Sequence, residues 1–78
     1  MDTLKEIQSI LRDIFDNEDL VISEETVAAD VEGWDSFAQM QIITGIEMSF
    51  GIQFSTDEMT EFKNVGDMVK AVEKHKGE

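Results

Sequence analysis

Residues 33–51 read Gly33-Trp34-Asp35-Ser36-Phe37-Ala38-Gln39-Met40-Gln41-Ile42-Ile43-Thr44-Gly45-Ile46-Glu47-Met48-Ser49-Phe50-Gly51. Phe37, Met40, Ile43, Ile46 and Phe50 recur at spacings of three and four, the period of a helix with one apolar stripe. Ser36 followed by Gln39 has the pattern of a capping box. Gly51 suits a left-handed helix end. The spacing therefore predicts a helix over 36–50. Ahead of it, Gly33-Trp34-Asp35 reads as a turn with an aromatic anchor. Trp34 there either pins the loop or contacts a ligand.

Upstream, Leu4, Ile7, Leu11, Ile14 and Phe15 repeat at helical spacing behind a Thr3/Glu6 capping-box pattern, which predicts a first helix over 3–15. Residues 16–35 hold eight acids and no base. A loop of that length in a small domain needs local structure or a function. Leu20, Val21, Ile22, Val27 and Val31 suggest that it packs across the helices. Downstream, Ile52-Gln53-Phe54 alternates like a strand too short to stand alone. Ser55 with Glu58 marks a short third helix over 55–62, with Met59 and Phe62 facing inward. Asn64 can cap a fourth helix carrying Val65, Met68, Val69 and Val72, with Lys70, Lys74 and Lys76 toward the negative end of its dipole. The expected fold is all-α: a four-helix bundle with a short third helix and a long loop between helices 1 and 2. Residues 1–78 are expected to form one domain.

Composition narrows the function. At 78 residues the chain has little material for a deep cleft. Without cysteine it has no thiol nucleophile or thiolate metal site. The one histidine, His75, reads as a solvated tail residue, so a histidine-based triad has nothing to work with. No enzyme and no metal site is expected. The net charge is −12, and thirteen acids but no Lys, Arg or His fall between Asp13 and Phe62. Nucleic acid is excluded as a partner, because phosphate contacts need clustered bases. An anionic membrane surface is excluded for the same reason. The acidic middle suits a solvated surface or a field that steers basic partners. No segment is long enough to span a bilayer, and the first six residues lack a signal peptide's basic start and apolar core. A cytoplasmic monomer is expected.

Ser36 opens a helix. A serine there is most often only an N-cap, yet a helix start also favours a phosphate. Resemblance selects this serine. Asp35-Ser36-Phe37 resembles the Asp-Ser-Leu attachment motif of acyl carrier proteins. The match continues through Ile46-Glu47, Phe50-Gly51-Ile52, Asp57-Glu58 and Asn64-Val65-Gly66-Asp67. The resemblance implies a 4'-phosphopantetheine arm esterified to Ser36 by a separate phosphopantetheinyl transferase, the holo-carrier synthase. It further implies a thioester cargo on the arm, acyl-loading and acyl-transfer enzymes as partners, and a supporting role for Asp35 in the transferase reaction.

The chain departs from that family in three places. Phe37 replaces the commonest Leu, as in the related D-alanyl carriers, so an aminoacyl cargo stays open. Helix 2 is poor in acids. Phe37, Met40, Gln41, Thr44, Glu47 and Met48 form the expected docking surface, and Glu47 is its only acid. Docking through it is expected to rest on apolar contact and to be less sensitive to salt than in fatty-acid carriers. Phe54, Met59 and Phe62 either complete a small core or leave room only for a short or polar cargo. Three readings compete: a freestanding acyl carrier, an aminoacyl or D-alanyl carrier, and an acidic helical adaptor with Ser36 as a plain cap. Calcium binding is a weaker fourth, since no stretch fits an EF-hand.

Overall fold

The computed structural model describes residues 3–76. Four helices follow one another: α1 Thr3–Ile14, α2 Ser36–Phe50, α3 Thr56–Thr60 and α4 Val65–Lys76. A single 3₁₀ turn, Ala28–Asp30, lies in the long connection between α1 and α2. No strand occurs among the described residues, so Ile52-Gln53-Phe54 is an extended link only. The expected all-α bundle with a short third helix is what the chain forms.

The helix ends have identifiable causes. α1 stops at Ile14 because Asp16 turns left-handed, with φ 51°. Asn17 N–H then reaches back to the Arg12 carbonyl at 3.0 Å and Asp16 N–H to the Asp13 carbonyl at 3.4 Å, the Schellman closure. Gly51 ends α2 in the same left-handed region, with φ 67°. α3 is shorter than the expected span 55–62. Ser55 is its cap rather than its first residue, and the capping box with Glu58 is fully made. Asn64 caps α4 through its side chain on Asp67 N–H, at 2.9 Å. Thr3 is already helical and buried, so the cap of α1 lies outside the described residues. Glu6 instead accepts a hydrogen bond from Ser49 on α2, at 3.3 Å.

α1 packs against α2 and α4. The core joins Ile7 and Leu11 to Ile42, Ile43 and Ile46 of α2, and to Val65, Met68, Val69 and Val72 of α4. Phe54 and Ile22 close it from the connections. The inward stripe of α2 is therefore Ala38, Ile42, Ile43 and Ile46. Phe37 and Met40 share the three-and-four spacing but point outward, 72% and 58% exposed. Spacing alone fits two overlapping stripes on an apolar helix, and packing against α1 and the shared core selects the other one.

The long connection is stitched to the helices, as its apolar residues suggested. Ile22 and Val31 are buried, while Val21 faces solvent, 77% exposed. Arg12 Nε donates to the Leu20 carbonyl at 2.7 Å, and Gln8 accepts from Ile22 N–H at 3.0 Å. On the other side, Val65 and Gly66 N–H groups donate to the Thr26 and Glu24 carbonyls. The loop thereby satisfies two of the N–H groups that the start of α4 leaves open.

His75 is not a solvated tail residue. Its Nε2 lies 3.0 Å from the Glu58 carboxylate, and its ring meets Phe54 edge-on at 5.6 Å. Phe54 in turn meets Phe62 edge-on at 5.0 Å. The last turns of α4 thus hold α3 in place, a contact between residues 17 apart that local pattern does not reveal.

Candidate functional site

Four devices build the start of α2. Gly33 takes φ 89°, a left-handed turn that glycine adopts without strain. Trp34 then leans on Phe15, ring centroids 6.0 Å apart, and its indole N–H donates to Gln39 Oε1 at 2.7 Å. The ring pins the loop to the helix, and Gln39 is its anchor rather than part of a serine capping box. Asp35 is the N-cap: its carboxylate accepts from Ala38 N–H at 2.9 Å. Ser36 is the first helical residue, not the cap. A carboxylate holds the capping position more strongly here because its charge also meets the positive end of the helix dipole.

This assignment frees the Ser36 hydroxyl. It is exposed and has no hydrogen-bond partner among the described residues. The N–H groups of Ser36 and Phe37 likewise have no acceptor among the described residues. An exposed hydroxyl beside open helix-terminal donors fits a phosphodiester on that oxygen.

A groove of about 620 Å³ runs beside it, lined by Trp34, Ser36, Gln39, Met40, Met59 and Phe62 among others. Met59 and Phe62 are half-buried, and of the three large residues expected in the interior only Phe54 is fully so. Met59 and Phe62 thus pack against the core and also form a wall next to Ser36.

The expected docking residues separate. Phe37, Met40, Gln41, Thr44 and Met48 are all exposed on α2. Glu47 is not part of that face. It is half-buried, and its carboxylate accepts from Phe54 N–H at 2.8 Å, which fixes the link after α2. The helix presents an uncharged surface as a result. Sequence reading placed Gln39 and Glu58 in capping boxes: Glu58 makes its box and also ties α3 to α4 through His75, whereas Gln39 orients Trp34 instead. An amide or acid three residues after a serine signals a cap locally, and only the tertiary partner shows where the side chain goes.

Comparison with known proteins agrees with this geometry. The family model described as a phosphopantetheine attachment site matches residues 5–72. An acyl carrier protein of Rickettsia bellii (strain OSU 85-389) is 33% identical over 72 residues, covering 88% of this chain and 89% of that protein. The acyl carrier protein of a second strain, RML369-C, is also 33% identical, with 84% of its length covered. The solution structure of a holo acyl carrier protein from Geobacter metallireducens superposes with a TM-score of 0.90 at 36% identity, covering 99% of this chain and 88% of that one.

Proposed function

Because the chain belongs to the phosphopantetheine-attachment family of acyl carrier proteins, we propose that Ser36 is its point of attachment and that it shuttles thioester-bound acyl groups between enzymes. The family is one of carriers, not enzymes, and bears covalently attached 4'-phosphopantetheine. When bound, that group supplies a terminal thiol on which an acyl chain is held as a thioester. The observation that carries the reading is the exposed, unpartnered Ser36 hydroxyl at the start of α2, beside open N–H donors.

The chain's own residues have defined parts in this reading. In the transferase, Ser36 Oγ would bond to the pantetheine-bearing phosphorus of coenzyme A as the pyrophosphate P–O bond breaks, adenosine 3',5'-bisphosphate leaving and the hydroxyl losing its proton. The N-terminus of α2 stabilises the resulting phosphodiester charge. Asp35 holds the helix start and, with its remaining carboxylate oxygen, supports the transferase reaction. Trp34 and Gln39 fix the turn. Phe37, Met40, Gln41, Thr44 and Met48 form the docking face for the transferase and for acyl-loading and acyl-transfer enzymes. Phe54, with Met59 and Phe62 packed against it, fills space between the helices, which suits a short or polar cargo. The protein acts as a single-domain monomer in the cytoplasm, where coenzyme A is available. No helix of the described residues is long and apolar enough to cross a membrane.

Incubation of the apo chain with a broad-specificity phosphopantetheinyl transferase, magnesium and coenzyme A tests the assignment. The intact mass gains one phosphopantetheinyl group, and Ser36→Ala abolishes the gain. No gain returns the chain to the adaptor reading, and a gain that survives the substitution overturns Ser36 as the point of attachment. An aminoacyl cargo is the second reading, favoured by Phe37 in the attachment motif. Loading of the holo form with D-alanine by a carrier ligase, in preference to short acyl groups, selects it.

A further inference from the structure

Sulfur in this chain is confined to methionine, since it has five Met and no Cys. Four of the five fall among the described residues, and they differ sharply in access. Met48 is 80% exposed and Met40 58%, Met59 is half-buried, and Met68 is 1% exposed in the core. Susceptibility of a thioether to peroxide follows its access, and no thiol of the chain competes for the oxidant. Met40 and Met48 are therefore the sulfurs open to oxidation.

Met40 differs from Met48 in where it stands. It follows Ser36 by about one turn of α2, so the two side chains share a face. A long side chain on a helix leans toward the N-terminus and covers the preceding turn. Met40 accordingly lines the groove beside Ser36, together with Trp34, Gln39 and Ser36 itself, and Met48 does not. The Ser36 hydroxyl and the N–H groups of Ser36 and Phe37 have no partner among the described residues. A thioether is only a weak acceptor, so it leaves these donors free. Its sulfoxide carries a polar S–O group, an acceptor about one turn away from them.

We propose that Met40 is a site of reversible oxidation by peroxides, and that its sulfoxide slows attachment of the arm at Ser36. The slowing rests on the carrier reading; the oxidation itself does not. One peroxide oxygen bonds to Met40 Sδ as the O–O bond breaks. The sulfur gives up two electrons, and hydrogen peroxide is thereby reduced to water. The new oxygen accepts from the Ser36 hydroxyl, which must release that bond before it attacks phosphorus. Reversal takes a sulfoxide reductase and a dithiol: the oxygen leaves as water and the two thiols join as a disulfide. Oxidation of Met48 makes the same helix more polar but brings no acceptor to Ser36. The fold survives both events, because the core sulfur of Met68 is shielded.

The test treats the full chain, before attachment, with dilute hydrogen peroxide and follows each methionine by peptide mass mapping. Met48 and Met40 gain oxygen well ahead of Met59 and Met68. Attachment is then timed by intact mass with the transferase, magnesium and coenzyme A, each chain being compared with itself before and after peroxide. The native chain slows about fivefold, the factor set by one hydrogen bond that must first break. Met48→Leu slows as much. Met40→Leu, which keeps the volume without the acceptor, does not slow. Sulfoxide reductases for both epimers, with a thiol reductant, restore the native rate. In ¹⁵N spectra, peroxide moves the Ser36 and Phe37 amides of Met48→Leu and leaves those of Met40→Leu in place. Four outcomes overturn the proposal: Met40 oxidised no sooner than Met68, an undiminished rate once Met40 is oxidised, equal slowing of Met40→Leu, or a thermal midpoint lost on oxidation. An untreated chain that gains no arm sinks the carrier reading and the slowing with it; the order of oxidation and the amide shifts then still decide the site at Met40.

Discussion

Asp35 and Ser36 divide two tasks that the sequence had merged. Asp35 caps α2 through Ala38 N–H, so the neighbouring hydroxyl is left outward and unpartnered. Asp35→Ala therefore costs about 1 kcal/mol of stability, a fall of about 4–8 °C in the thermal midpoint for a domain of this size. Asp35→Asn keeps the cap and most of the midpoint. Comparing the modification rates of these two variants separates the cap from the charge: a slow Asn variant with a normal midpoint shows that the carboxylate itself serves the transferase. Resemblance to the Asp-Ser-Leu attachment motif, more than residue type and spacing, made this pair legible. Their roles were not, because a Ser-x-x-Gln pattern looks the same whether Gln39 returns to the backbone or, as here, takes the indole N–H of Trp34. Phe37 illustrates a related limit: it shares the three-and-four period of buried Ile43 and Ile46, yet it lies outside the inward stripe of α2 and is 72% exposed.

At the scale of elements, the bounds of α2 were legible because strong signals mark both ends, Gly33-Trp34-Asp35 and Gly51. The path of the long connection was legible only as a tendency to pack. Its seat on α4 depends on a close approach that only glycine allows. A Cβ on Gly66 would lie 2.8 Å from the Glu24 carbonyl oxygen, which also accepts Gly66 N–H. Alanine in a helix ordinarily gains up to about 1 kcal/mol over glycine, but overpacking against backbone costs about 1–3 kcal/mol. Gly66→Ala should therefore lower the midpoint and speed hydrogen exchange at the Val65 and Gly66 amides; a raised midpoint would show that the loop yields freely.

α3 depends on a different tie. Glu58 accepts from Ser55 N–H at 2.9 Å and meets His75, and these contacts, the backbone bond first, hold its pKa below the ordinary 4.5. A carboxylate depressed in the folded state adds stability above its unfolded pKa and loses it as the pH falls through the folded value. The midpoint advantage of the native chain over Glu58→Gln is thus full above about pH 5 and closes in more acidic solution. An advantage that persists unchanged at about pH 3 would assign it to packing instead of charge.

For the whole molecule, a net charge of −12 on a body 33 × 26 × 21 Å across leaves acids repelling one another over most of the surface. Screening shortens from about 30 Å at 0.01 M salt to about 3 Å at 1 M. Raising sodium chloride across that range should raise the thermal midpoint by several degrees. A flat or falling midpoint would mean that local pairs such as His75 with Glu58 outweigh the general repulsion. Composition revealed this imbalance at once. It did not reveal that α2 is bare of charge on its outer face, because Glu47 counted as a surface acid until its bond to Phe54 N–H placed it against the link.

Trp34 has a practical consequence. It is the only tryptophan in a chain without tyrosine, and it lines the groove beside Ser36. Light emitted by the protein under near-ultraviolet excitation therefore reports on one indole at one location. A cargo laid against that wall would dry the ring and move its emission to shorter wavelength, whereas a cargo held out in water would leave the spectrum alone. The molecule is its own unlabelled optical gauge, able to follow loading and discharge in real time.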